Sequence, residues 1–441
     1  MAQHDVPDWT IPQQGTPAEV STDKPQGRLR WSVCAMLFFA TSINYMDRQV
    51  LGILSFTLQH SIGWTEAQYG YIISAFQTAY AIGLLIAGWM IDRVGSRIGY
   101  AIVMGIWSIA AMAHSLARTA LAFGIARFFL GLGESGNFPA AIKTTAEWFP
   151  KKERSLATGI FNSGANVGAI LAPALIPWIT LHLGWQYAFL STGAFSLTWI
   201  IVWLATYRRP TEHPHITAGE LAYILSDPIA PSARIPWIRL LGYRQTWAFA
   251  IAKFITDPIW WFFLYWLPKF FDARYHVGLS HLGLPLIVVY NVSMIGSIGG
   301  GWLPAVMHRQ NISLVKARFV TMLLCACLVL PLITTVRLSS MWAAVALLSL
   351  AAAAHQGWSA NLLTTSSDMF PKEAVGAVVG IGGTAGAVGG VLFSLATGWV
   401  LQLTHSYAAL FAIASSAYLV ALAILKLMVP RLQPVALSSS N

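Results

Sequence analysis

Long apolar blocks separated by short polar turns fill the chain from about residue 30 to about residue 430. Each block is near or above the roughly 20 residues that cross a bilayer as a helix, so the pattern predicts twelve membrane-spanning helices. The first six cover residues 30–58, 67–91, 98–117, 119–148, 155–178 and 185–207. Six more cover 246–271, 281–304, 314–336, 339–370, 374–403 and 405–429. Between the two sets runs the longest connection, residues 208–245, which is polar and contains Pro and several Arg. The expected architecture is an all-α membrane protein, with six-helix halves at 30–207 and 246–430 joined by that linker. Residues 1–29 read as a disordered tail and residues 431–441 as a second one.

The halves also resemble each other. At an offset of 221 residues, Phe149-Pro150-Lys151 matches Phe370-Pro371-Lys372, Gly159-Ile160 matches Gly380-Ile381, and Val167-Gly168 matches Val388-Gly389. This aligns the fifth span with the eleventh, as two pseudo-repeats require. Transporters built from such repeats often place their substrate between them, near the bilayer midplane.

Composition sharpens the class. The chain is 56% hydrophobic and only 10% charged, against about 25% charged in soluble domains. Its net charge of +10 lies in short loops rather than on a basic helix, so it points to topology and not to nucleic acid. In the loops and at the span ends, Arg118, Lys269, Arg274 and Arg337 fall on one side and the other loop and tail basic residues on the opposite side. Cytoplasmic loops carry the excess of Lys and Arg, which places both termini and the linker in the cytoplasm. Cys34, Cys325 and Cys327 sit in apolar blocks and suit neither a disulfide framework nor a zinc site. No nucleotide-binding Gly-rich loop, metal-spaced His pair or nucleophile elbow occurs. The expectation is therefore a non-enzyme without cofactor, driven by an ion gradient rather than by ATP.

Charges inside the apolar blocks carry the chemistry. Asp47 and Arg48 interrupt the first span beside Asn44 and Tyr45, where each charge costs roughly 2.5–3.5 kcal/mol on insertion scales. Successive helix residues point about 100° apart, so the two need separate partners or a water-filled cavity. A buried ion pair with other helices is the plainer alternative. Arg127 and Glu134 lie seven residues apart in the fourth span, on one face and about 10.5 Å apart along the axis, suggesting a switchable charge system. In the seventh span, Pro258 is expected to disturb the helix so that Asp257 or a freed carbonyl faces a cavity. Trp260, Trp261 and Trp266 could stack on a sugar ring or simply pack. In the tenth and eleventh spans, Gln356, Trp358, Ser359, Asn361 and Thr384 are candidates for sugar hydroxyls, and His355 occupies the place of Glu134 by the repeat offset. The loop Gly88-Trp-Met-Ile-Asp92-Arg93-Val-Gly95-Ser-Arg97 reads as a gating and interface element.

That loop resembles the signature between the second and third helices of the major facilitator superfamily, although Ile98 stands where another basic residue is common. Asn44-Tyr-Met-Asp-Arg48 and Arg127-Phe-Phe-Leu-Gly-Leu-Gly-Glu-Ser-Gly-Asn-Phe-Pro139 are similar to the anion:cation symporter family. Lys253-Phe-Ile-Thr-Asp-Pro-Ile-Trp-Trp-Phe-Phe-Leu-Tyr-Trp-Leu-Pro-Lys269 looks like its hexuronate branch. The resemblance covers roughly residues 30 to 430.

It implies a proton-coupled symporter that imports glucuronate and galacturonate by alternating access across a bacterial inner membrane, as a monomer. Arg48 would bind the substrate carboxylate, with Tyr45 and Tyr80 framing it. Asp47 and Glu134 would carry protons, and Arg127 would couple Glu134 to the substrate. The sugar contacts would fall on Gln356 to Asn361 and on Thr384. A related sugar acid, such as the aldonate galactonate, or another organic anion is the competing cargo. A membrane sensor that binds ligand without moving it is the alternative of a different class.

Overall fold

A computed structural model describes residues 27–227 and 237–435. Residues 1–26, 228–236 and 436–441 lie outside the described residues, and with them most of the expected N-terminal tail, the middle of the linker and the chain end. Among the described residues there are twelve helical spans. Span 1 is Leu29–Ile53 continued by Ser55–Ile62, span 2 is Glu66–Val94, and span 3 is Ser96–Ala113. Span 4 comprises Ala120–Glu134 and Asn137–Trp148, span 5 is Lys151–Leu183, and span 6 is Trp185–Thr206. Spans 7 and 8 are Arg244–Tyr275 and Leu279–Arg309, and span 9 is Leu314–Val329 tightening into the 3-10 segment Leu330–Arg337. Spans 10, 11 and 12 are Met341–Met369, Lys372–Thr404 and Ala408–Met428.

The repeat seen in the sequence reappears in the backbone. Spans 5 and 11 are both 33 residues long, and Pro150 and Pro371 cap them with nearly identical dihedral angles. At the same offset, span 4 ends at Trp148 and span 10 at Met369.

Span 4 is broken where one continuous helix was expected. Pro139 has no N–H to give to the carbonyl of Ser135. The Ser135 hydroxyl donates to the Leu132 carbonyl at 2.7 Å, and the Gly136 N–H closes a tighter turn onto Gly133 at 3.1 Å. Span 7, in contrast, continues as helix through Pro258. The Phe254 carbonyl that Pro258 leaves without a donor faces span 11, not a cavity. A Cβ on Gly389 would lie 2.2 Å from that oxygen, so only glycine permits this approach.

Among the described residues, eight helices are long and apolar enough to cross a membrane by length and composition alone. Spans 1, 4, 7 and 10 are the exceptions. These are the spans interrupted by charges, by the Ser135–Gly136 break or by the polar run from His355 to Asn361.

The hydrogen bonds and ion pairs joining the two halves cluster at the face away from the termini. Tyr69 donates to the Tyr265 carbonyl at 2.7 Å, and the Glu66 backbone N–H donates to Gln402 at 3.1 Å. Lys269 reaches both Glu66 and Gln59 across the seam. On the side of the termini, part of the linker docks on the first half. Helix Ala218–Ile224 carries Glu220, which is buried and accepts from the Leu29 and Arg30 backbone N–H groups at 3.3 and 3.1 Å. It also pairs with the Arg30 guanidinium at 3.1 Å. A carboxylate there caps the positive end of span 1.

Candidate functional site

A cavity of about 400 Å³ lies between the halves, on the terminus side of the seam. It is lined from the first half by Tyr45, Arg48, Tyr80, Leu84 and Phe138, and from the second by residues of spans 7, 10 and 11. The less apolar spans therefore supply most of its polar wall.

Arg48 dominates one side. Its Nε donates to Glu134 Oε2 at 3.0 Å, and its Nη2 donates to Asn44 Oδ1 at 3.4 Å. Four rings surround the guanidinium, with centroids at 4.8 Å for Tyr45 and Tyr80 and 5.4 Å for Phe76 and Trp261. The ring faces offer cation–π attraction and hold the fork in a fixed plane. Nη1 has no protein hydrogen bond among the described residues, so part of the fork remains for a ligand. Arg48 and Glu134 thus form the buried inter-helix ion pair that was the plainer alternative, and Arg48 lines the cavity as well.

Two of the charges inside the spans sit apart from this wall. Asp47 does not line the cavity. It points away from it and is buried, with the Ser196 hydroxyl of span 6 at 3.3 Å from Oδ2 and no partner on Oδ1. The near-100° step between neighbours on a helix sends Asp47 and Arg48 to different environments. Arg127 does not pair with Glu134. Two turns separate them on one helix, and Glu134 meets Arg48 instead. Arg127 is buried, its Nη1 lies 3.5 Å from the Arg48 carbonyl, and its Nε and Nη2 have no partner among the described residues.

The second half supplies another ion pair, Lys253 Nζ to Asp257 Oδ2 at 2.7 Å, four residues apart on span 7. Both side chains line the cavity together with Trp260, Trp261, His355, Gln356 and Ser359. Trp260 stacks on His355 at 5.3 Å, and His355 Nδ1 lies 2.6 Å from the Tyr418 hydroxyl.

Of the expected hydroxyl contacts, Gln356 and Ser359 line the cavity and three residues do not. Trp358 is buried, and its indole N–H donates to Thr256 at 3.2 Å. Asn361 is buried too, and its amide bridges the Gly300 and Gly357 carbonyls at 2.7 and 2.9 Å, joining spans 8 and 10. The Thr384 hydroxyl donates back to the Gly380 carbonyl at 3.1 Å, although its neighbour Gly383 and Ala387 one turn on line the cavity. Trp266 is also buried, with its ring 4.9 Å from that of Tyr69.

The loop between spans 2 and 3 lies at the terminus side. Gly95 takes φ of +82°, a conformation that favours glycine, and Asp92 pairs with Lys143 of span 4 at 3.1 Å. The Arg93 guanidinium lies 4.2 Å from the centroid of the Trp89 ring, and Arg97 donates to the Leu204 carbonyl of span 6. A Cβ on Gly88 would meet nothing within 4 Å, so packing in this conformation does not require glycine there.

Residues 37–394 match the Major Facilitator Superfamily. The chain belongs to this superfamily. It is accordingly a membrane transporter and not an enzyme. A hexuronate transporter of Escherichia coli (strain K12) is 32% identical over 391 residues, covering 87% of this chain and 90% of that protein. A galacturonate transporter of Dickeya chrysanthemi is 32% identical, over 66% of this chain and 86% of its own length. A probable galactarate/D-glucarate transporter of Bacillus subtilis (strain 168) is 30% identical, covering 88% of this chain and 90% of that protein. The solved structure of a D-xylose-proton symporter has the same fold, with a TM-score of 0.72 at 15% identity over 93% of this chain and 100% of that one.

Sequence reasoning assigned no role to Lys253 and left Asp257 and His355 open. The signal was present, since Lys253 and Asp257 are opposite charges four residues apart within an apolar span.

Proposed function

We propose that this chain is a proton-coupled symporter importing hexuronates, glucuronate and galacturonate, by alternating access. The observation that carries this reading is Arg48, a caged cation facing the cavity with part of its fork free and the rest on Glu134. A substrate carboxylate needs such a cation, and a planar guanidinium meets it with two parallel bonds. Named relatives that transport hexuronate and galacturonate support the same cargo.

Coupling follows from competition. While Glu134 is ionised, it and the substrate carboxylate contend for Arg48. A proton on Glu134 removes one contender and leaves Arg48 for the anion, so proton and substrate favour each other's binding. Asp47 is the second proton site. No cation lies within ion-pair distance of it among the described residues, and an unpaired charge buried so deeply is expensive. The neutral acid avoids that cost. The excess of Lys and Arg in the loops on the terminus side supports cytoplasmic termini, and on this reading the protein works as a monomer in a bacterial inner membrane, on the proton gradient and without a cofactor. In proteoliposomes, labelled glucuronate should exchange by counterflow and accumulate when the lumen is made alkaline, while neutral glucose competes poorly. Glucose competing as well as the uronates would overturn the anion site.

A further inference from the structure

The cavity holds two cations, and an acid already occupies each. Arg48 is matched by Glu134 and Lys253 by Asp257, the second pair at 2.7 Å. The pairs differ in one respect. Glu134 belongs to a different helix from Arg48, whereas Asp257 sits one turn from Lys253 on the same helix. Span 11 also confines the second pair. A Cβ on Gly386 would fall 2.2 Å from Asp257 Oδ2, and one on Gly382 would fall 2.9 Å from Lys253 Cδ. The pair is thus held against a glycine face with its open side toward the cavity.

We propose that the Lys253–Asp257 pair is the specificity-determining element of this site: it meets the hydroxyl-bearing end of the cargo and denies a second carboxylate its cation. The chain therefore takes sugar monoacids and rejects sugar diacids. This rests on the transport reading above and deepens it. Charge matching is the reason. When Glu134 is protonated, Arg48 is the one unmatched cation among these four groups, and it suits one carboxylate. The second carboxylate of a diacid would have to displace Asp257 from Lys253 and would leave two carboxylates close to one ammonium. Excluding a partner by an unpaired or repelled charge is a common route to specificity. Hydroxyls meet no such barrier, because Asp257 Oδ1 accepts from them and the remaining Lys253 N–H groups donate to them. Trp260 and Trp261 lie one turn further along span 7 and line the same wall.

The test is competition against labelled glucuronate in counterflow, using unlabelled glucuronate, gluconate and glucarate at neutral pH. Glucarate should compete at least tenfold more weakly than glucuronate in the unaltered protein. Asp257→Asn frees Lys253 and should lower the glucarate-to-glucuronate ratio of inhibition constants at least tenfold. The ring and open-chain forms of the two sugars do not confound this, since their difference is common to both proteins. Adding Lys253→Met to Asp257→Asn removes the freed cation and should restore discrimination to within a few-fold of the original. Gly386→Ala offers an independent route. It should displace the Asp257 carboxylate without changing charge, and so move the ratio in the same direction as Asp257→Asn. Glucarate competing as well as glucuronate in the unaltered protein overturns the proposal. So does an unchanged ratio in both Asp257→Asn and Gly386→Ala while glucuronate exchange persists. If the unaltered protein exchanges no sugar acid at all, the transport reading itself falls, and this proposal with it.

Discussion

Replacing Glu134 by Gln isolates the coupling step. Gln keeps a carbonyl oxygen within reach of Arg48 Nε, now 3.0 Å from the carboxylate, and removes the charge. The guanidinium is then permanently as free as protonation would make it. A hydrogen bond to a charged group contributes about 1.5–3 kcal/mol, and each 1.4 kcal/mol is a factor of ten. Glucuronate should therefore bind the variant about tenfold or more tightly, with affinity that no longer follows the titration of this acid. Accumulation should move the other way. With the membrane potential clamped at zero, a gradient of one pH unit contributes about 1.4 kcal/mol per coupled proton, or roughly tenfold accumulation each. Losing Glu134 removes at least one such factor, while counterflow, which needs no net proton movement, persists. Binding in detergent, counterflow and pH-driven uptake at matched protein amounts give three separate readouts. A thermal shift on adding glucuronate distinguishes a folded protein that holds substrate from a damaged one. If the variant binds glucuronate more weakly and still concentrates it as far as the unaltered protein does, Glu134 is a structural partner of Arg48 and the competition scheme is wrong.

Three further outcomes follow from the same geometry. Arg48→Lys should weaken glucuronate binding at least about tenfold in counterflow competition, because an ammonium point charge does not reproduce the planar two-bond fork that meets a carboxylate; unchanged affinity would show that the cage, not the fork, selects the anion. Asp47→Asn should cut pH-driven accumulation by about tenfold per pH unit while leaving exchange measurable, since Asp47 touches span 6 rather than the cavity; if it and Glu134→Gln both concentrate glucuronate as far as the unaltered protein does, the acids are structural. Glu220→Ala should destabilise the protein by about 3 kcal/mol in denaturation, the scale for breaking a buried pair, because Arg30 and two helix N–H groups lose their acceptor. Glucuronate affinity should not move in Glu220→Ala, and a loss of affinity would place the linker helix in the transport cycle.

The fold could be read from the chain because its physics is one-dimensional. A span must be apolar along its whole length, and a charge inside it is visible wherever it falls. The partner of that charge is not visible. Arg48 meets Glu134 across 86 residues, and a spacing of seven on one helix pointed instead to Arg127, which geometry keeps two turns away. Polar residue type was equally ambiguous in span 10. Gln356 turns to the cavity, whereas Asn361 satisfies carbonyls of two tightly packed helices, and an amide serves either use. The Pro139 and Gly136 break in span 4 was within reach of sequence reasoning, as was the Lys253–Asp257 spacing.

One regularity joins fold to site. The four spans that are less apolar or interrupted are the first, fourth, seventh and tenth, one in every three. A helix carrying Arg48 or the Lys253–Asp257 pair is tolerable only where other helices shield it from lipid, and a repeat of three places two such helices in each half. Spans 1, 7 and 10 line the cavity, and span 4 supplies Phe138 to its wall and Glu134 to Arg48. Several of the polar positions that weaken these helices as membrane spans, Arg48, Lys253, Asp257, His355, Gln356 and Ser359, are thus the ones that line the cavity. Substitutions that render them more apolar should ease insertion and abolish transport together.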